Sequence, residues 1–100
     1  MIKHIVLWKL KETAAGRSAA ENALEVKRRL EALNGQIPGM LRLEVGIDFS
    51  KEDASSDVAL YSEFESRAAL DVYQSHPLHE EVKGFVMAVR SERRLVDYEV

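Results

Sequence analysis

The chain has 100 residues, room for one domain built on one core, residues 1–100. Its hydrophobic content of 46% and charged content of 31% exclude a disordered chain, and its net charge of −3 excludes the basic footprint of a nucleic-acid binder. No apolar run approaches the roughly 20 residues of a membrane helix, no leader is visible at Met1–Ile5, and the absence of cysteine removes disulfides and zinc–thiolate sites together, so a cytoplasmic location is expected.

Ile2 to Lys11 reads as the first strand. Ile2, His4, Val6, Trp8 and Leu10 share one face by the period of two, while Lys3, Ile5, Leu7 and Lys9 form the other. Thr13 to Arg17, with Gly16, is a breaker. Ser18 and Glu21 then have the spacing of a capping box, and Ala23, Val26, Leu30 and Leu33 make an apolar stripe at helical spacing. Glu25 and Arg29 are an i, i+4 pair in the favourable order. Lys27-Arg28-Arg29 reads as a solvated helix face. Asn34-Gly35 ends the helix and Ile37-Pro38-Gly39 is a turn.

Met40 to Phe49 is the second strand, with Leu41, Leu43, Val45, Ile47 and Phe49 apolar at every second position. Glu52, Asp53 and Asp57 lie in a polar loop without calcium-loop spacing and read as solubilising acids. Asp57 to Glu65 is the third strand, antiparallel to the second. Ser66 caps a short helix, Arg67 to Tyr73. Pro77 breaks it and suits the first turn of a new helix that Leu78 to Val89 continues. Glu92 to Val100 is the last strand, with Arg93 and Arg94 beside it at the surface.

The order β-α-β-β-α-(α)-β predicts a ferredoxin-like, split βαβ α+β domain: a four-stranded antiparallel sheet with helices on one face. Ile5, Leu7, Ala59 and Tyr61 then lie on a face that no helix covers. An exposed apolar face of this kind predicts a homodimer, sheet against sheet.

Chemistry concentrates in Tyr73-Gln74-Ser75-His76-Pro77-Leu78-His79-Glu80, which holds two of the three histidines. His76 precedes a proline and reads as a helix cap. Metal binding by His76, His79 and Glu80 is the competing chemistry, but the intervening proline and the lack of an HExxH-type pattern argue against it, and neither metal nor cofactor is expected. His4 sits among apolar residues, as a hydrogen-bonded core histidine or a pocket residue. Trp8, Tyr61, Phe64 and Phe85 read as core or interface aromatics that would wall any pocket.

Residues 2 to 99 resemble the stress-responsive α/β-barrel domain family, Dabb. The likeness rests on Ile2-Lys3-His4-Ile5-Val6-Leu7-Trp8-Lys9-Leu10, Ile37-Pro38-Gly39-Met40, Phe64-Glu65-Ser66, Leu70-Asp71-Val72-Tyr73, His76-Pro77-Leu78-His79 and Val96-Asp97-Tyr98-Glu99. It implies a dimeric α/β barrel and no single function. The chain is also similar to a plant polyketide cyclase of this kind, olivetolic acid cyclase, in which a histidine and a tyrosine drive an aldol cyclisation without metal or cofactor. That likeness implies His79 as catalytic base, Tyr73 as its partner, His4 as a pocket residue, and a small hydrophobic or polyketide-like ligand. A further pocket tyrosine of the cyclase has no counterpart in residues 22–30. A neutral imidazole suits proton abstraction beside a carbonyl, and a phenol suits hydrogen bonding to the developing enolate. The alternative is a non-catalytic stress-response or structural dimerisation module.

Overall fold

The computed structural model describes residues 1–100. In chain order the elements are β1 (Ile2–Leu10), β2 (Thr13–Ala14), β3 (Arg17–Ser18), α1 (Ala19–Glu31), β4 (Met40–Ile47), β5 (Val58–Phe64), α2 (Arg67–Ser75), α3 (Pro77–Val89) and β6 (Arg90–Glu99). The main sheet has the order β4-β5-β1-β6, and each neighbouring pair is antiparallel. The helices cover one face. This is the ferredoxin-like arrangement expected from the element order. No helix is long and apolar enough to cross a membrane.

The period of two decides the core. Ile2, His4, Val6, Trp8 and Leu10 of β1 are buried beneath the helices, as are Val58, Leu60, Ser62 and Phe64 of β5. The stripe of α1 meets them through Ala23, Val26 and Leu30. The capping box is complete: the Glu21 N–H donates to Ser18 Oγ at 3.2 Å and the Ser18 N–H to Glu21 Oε1 at 3.0 Å. Such a cap is worth about 1 kcal/mol of helix stability.

Four local expectations are corrected. The breaker at 13–17 is a small hairpin, β2 with β3, turning through Ala15 (φ 53°) and Gly16 (φ 74°) and tied to α1 by Asn22 Nδ2, which donates to the Ala14 carbonyl at 2.9 Å. The second strand stops at Ile47, where the Asp48 carboxylate folds the chain back by accepting from the Lys51 N–H at 2.9 Å; Phe49 is left 94% exposed. Asp57 is structural: its carboxylate accepts from the Leu10 N–H at 2.7 Å and its own N–H donates to the Trp8 carbonyl at 2.8 Å. The basic run of α1 is not simply solvated, because Lys27 Nζ donates to the Val45 carbonyl at 2.6 Å and the Arg29 guanidinium lies 3.9 Å from the Phe85 ring centre.

The other face of the sheet carries no helix. Pairing places Ile5 opposite Tyr61 and Leu7 opposite Ala59, with Val96 beside Ile5 and Tyr98 beside Lys3. Leu7, Val96 and Tyr98 are 39%, 50% and 42% exposed. Strand β6 is one of the two sheet edges, and beyond Arg90 all its residues are exposed.

Candidate active site

Pro77 builds the corner on which the site rests. It has no N–H to continue α2, and it disfavours helical backbone at the residue before it. His76 accordingly leaves the helix (φ −65°, ψ 135°), ends α2 and caps α3, its Nδ1 accepting from the Leu78 N–H at 3.1 Å. The last turn of α2 and the first turn of α3 therefore meet at a bend. Tyr73 from one and His79 from the other come into contact, with ring centres 4.1 Å apart and planes 36° from parallel.

Tyr73 is fully buried. Its ring lies 5.0 Å from that of Phe64 and 6.1 Å from that of His4, centre to centre. His4 comes up from β1. Its backbone is held by Ser62, whose Oγ donates to the His4 carbonyl at 2.9 Å, and its Nδ1 is bonded to the Asp97 carboxylate on β6. That pairing fixes Nδ1 as the protonated nitrogen and leaves Nε2 free. The strand register makes it possible, since His4 and Asp97 lie directly opposite one another.

A cavity of about 310 Å³ opens among these groups. His4, Trp8, Tyr73 and His79 all line it, with apolar walls from Val6, Leu60, Val82 and Val86. The four candidates of the sequence thus face one space. His76 does not: its ring nitrogen is spent on the cap. No three His, Cys, Asp or Glu side chains converge as a metal-binding set.

The electrostatics follow from burial. Desolvation holds the His79 imidazole below its ordinary pKa of 6.5, outweighing the opposing pull of the Gln74 carbonyl and Glu80. At neutral pH the ring is uncharged. Its Nδ1 lies 3.3 Å from the Gln74 carbonyl, which can only accept, so Nδ1 carries the proton and Nε2 the lone pair. Burial pushes the Tyr73 phenol above its ordinary range, against a lesser opposing pull from Arg93. The phenol stays protonated, and its hydroxyl has no hydrogen-bond partner in the protein. A neutral base and an uncommitted donor thus line the same cavity.

Sequence reasoning missed four residues here. Asp97 stands in the sequence reading only as part of the segment Val96-Asp97-Tyr98-Glu99, with no role of its own. Lys83, Arg90 and Arg93 line the cavity; Arg93 is exposed, as expected, and lines the cavity as well. The signal lay in pairing rather than in local pattern: Arg93 sits opposite Trp8, so it shares the helix-side face.

Residues 2–100 match the model of the Stress responsive A/B Barrel Domain, Dabb. The chain belongs to this family. No curated protein matches it. Among solved structures, this Dabb chain is similar to a dimeric protein of unknown function and ferredoxin-like fold from Bacteroides fragilis, at 32% identity and TM-score 0.82, covering 99% of this chain and 95% of that one. It is also similar to a dimeric ferredoxin-like protein of unknown function from Jannaschia, at 27% identity and TM-score 0.77, covering 99% and 98%. A hydroxynitrile lyase from Passiflora edulis shares the fold, at 20% identity and TM-score 0.79, covering 99% and 92%.

Proposed function

We propose that this single-domain Dabb chain is a homodimer and a cofactor-free enzyme of the cyclase or isomerase type, acting on a small, largely apolar carbonyl compound in the cavity of each subunit. The observation that carries this reading is the contact between a neutral His79 and a protonated, unpartnered Tyr73 beside one cavity. In the proposed step His79 Nε2 removes a proton from the carbon next to the carbonyl. The Tyr73 hydroxyl hydrogen-bonds to the enolate oxygen that forms. The enolate carbon then attacks a second carbonyl of the same molecule, and the alkoxide so formed takes the proton from the His79 imidazolium; alternatively a conjugated enolate takes that proton back at its γ-carbon, which shifts the double bond. No electron leaves the system in either case. His4, fixed by Asp97, would orient the ligand through Nε2.

Dimerisation through the bare face is supported by the exposed Leu7, Val96 and Tyr98 and by neighbours described as dimeric. It would bury that face on the side of the sheet away from the cavity.

The test is exchange of α-protons for deuterium, followed by NMR on a panel of small aryl and alkyl ketones and 1,3-diketones. The protein should exceed buffer, and His79→Ala should lose about 10²–10⁴-fold of the exchange while ketone binding stays within a few-fold. Exchange that survives in His79→Ala removes the enzyme reading. The second reading, a non-catalytic binding module, is favoured by the full burial of Tyr73, whose hydroxyl meets only a ligand that penetrates deeply. It predicts binding without exchange.

A further inference from the structure

The cavity has a charge opposite to that of the protein. Among its 14 lining residues are Lys83, Arg90 and Arg93, and no Asp or Glu. The chain as a whole carries −3, and residues 51–100, where all three cations lie, hold 11 acidic and six basic residues. A random draw from that half would favour acids. Neither Arg90 nor Arg93 joins an ion pair, and Lys83 has only Glu80 at 3.9 Å.

Their placement is set by the fold. Arg90 caps α3 where it runs into β6, across a register shift from Leu10. Arg93 lies opposite Trp8 on the helix-side face. Lys83 is four residues beyond His79 on α3, hence on the same side of that helix. All three therefore stand with Trp8 and His79 and away from the bare face. A guanidinium presents a planar fork of donors that matches a carboxylate or phosphate, and two of them without acidic partners leave that capacity unused.

We propose that the cavity selects ligands with an oxyanion head group, carboxylate or phosphate, on an apolar body, with Arg90 and Arg93 holding the anion and Lys83 adding charge beside them. This rests on the reading of the cavity as a ligand site and names the class of ligand it takes. An anchored head group would also fix where along the ligand His79 and Tyr73 act.

Trp8 is the single tryptophan and lines the cavity, so its emission reports occupancy. Three probes of matched shape separate charge from bulk: 4-phenylbutanoate, 3-phenylpropyl phosphate and the neutral 4-phenylbutanamide. At low salt the anions should bind about tenfold or more tightly than the amide, as charge-assisted hydrogen bonds allow. Arg90→Gln and Arg93→Gln should each shrink the ratio, the double variant should shrink it further, and adding Lys83→Gln should bring it near unity. The relative affinity of carboxylate and phosphate identifies the preferred head group. An amide that binds as well as the anions overturns the inference and leaves the cavity reading standing. So does a preference for anions that survives removal of Lys83, Arg90 and Arg93 together. If none of the three probes changes Trp8 emission or shifts the His79 NMR signals, the cavity reading itself falls and takes the inference with it.

Discussion

Replacing Tyr73 by phenylalanine should make the protein more stable and a poorer catalyst. The phenol is fully buried and its hydroxyl has no protein partner. A buried polar group left unpaired costs about 1–3 kcal/mol. The lower end of that range serves as a minimum. Phenylalanine keeps the ring and with it the contacts to Phe64 at 5.0 Å and His79 at 4.1 Å. The expected gain is therefore about 1 kcal/mol, which for a domain of this size raises Tm by about 4–8 °C. Urea unfolding at fixed protein concentration gives the same quantity as a shift in midpoint at unchanged slope. Deuterium exchange of the best ketone should fall at the same time, since the enolate loses its donor. Tyr73→Ala is the control for packing and should destabilise by about 3–5 kcal/mol. If Tyr73→Phe is less stable than the parent, the hydroxyl is satisfied in the folded protein, and its assignment as a donor held in reserve is wrong.

Three further outcomes are expected. Leu7→Asp places a charge in the middle of the bare apolar face and should halve the mass seen by sedimentation equilibrium; an unchanged mass would show that this face is not the dimer interface. The depressed pKa of His79 means that the unfolded chain binds a proton first as pH falls, so stability is full above 6.5 and is lost between 6.5 and the lower folded pKa. His79→Gln should flatten that slope, and the acid limb of the exchange rate should lie below 6.5; a limb above it contradicts the buried neutral imidazole. Gly39→Ala should cost about 2 kcal/mol or more, because φ is +79° and a Cβ there would lie 2.6 Å from Ala69 Cβ on α2. Denaturant melts check this, and a neutral result would mean that α2 moves freely against the turn.

Where a residue's role follows from its own neighbours in the chain, the sequence was readable. Val6 and Trp8 alternate with Ile5 and Leu7, and that alternation is enough to assign two faces. Ser18 and Glu21 are three apart, and the capping box formed as spaced. Pro77 has no N–H to carry α2 onward and disfavours helical backbone at His76, so the bend and the capping role of His76 follow from covalent chemistry. The misreadings share a different cause. Nothing local distinguishes Asp57 from Glu52 and Asp53. Only the arrival of the Leu10 amide makes Asp57 structural. Phe49 continues the apolar alternation of Leu43 and Val45, but Asp48 ends the strand before the pattern does.

The site divides in the same way. His79 and Tyr73 lie in a stretch dense in proton-handling groups, and the likeness to the cyclase is what singles them out there. Whether they shared a cavity depended on the angle of the bend at Pro77, which spacing does not encode. His4 could be named as a candidate, but its partner Asp97 is 93 residues away and is brought opposite it only by the register of β1 with β6. The same register sets the exposed Arg93 opposite Trp8, where it also lines the cavity. An edge strand is where sequence patterns are weakest, since both faces are exposed and no apolar periodicity marks an inward side. β6 is such a strand, and it supplies the site with its acid, Asp97, and with two of its cations, Arg90 and Arg93. In this fold the proton-handling groups are fixed by a helix bend that the sequence announces, whereas the groups proposed to choose the ligand sit on the strand that the sequence describes least.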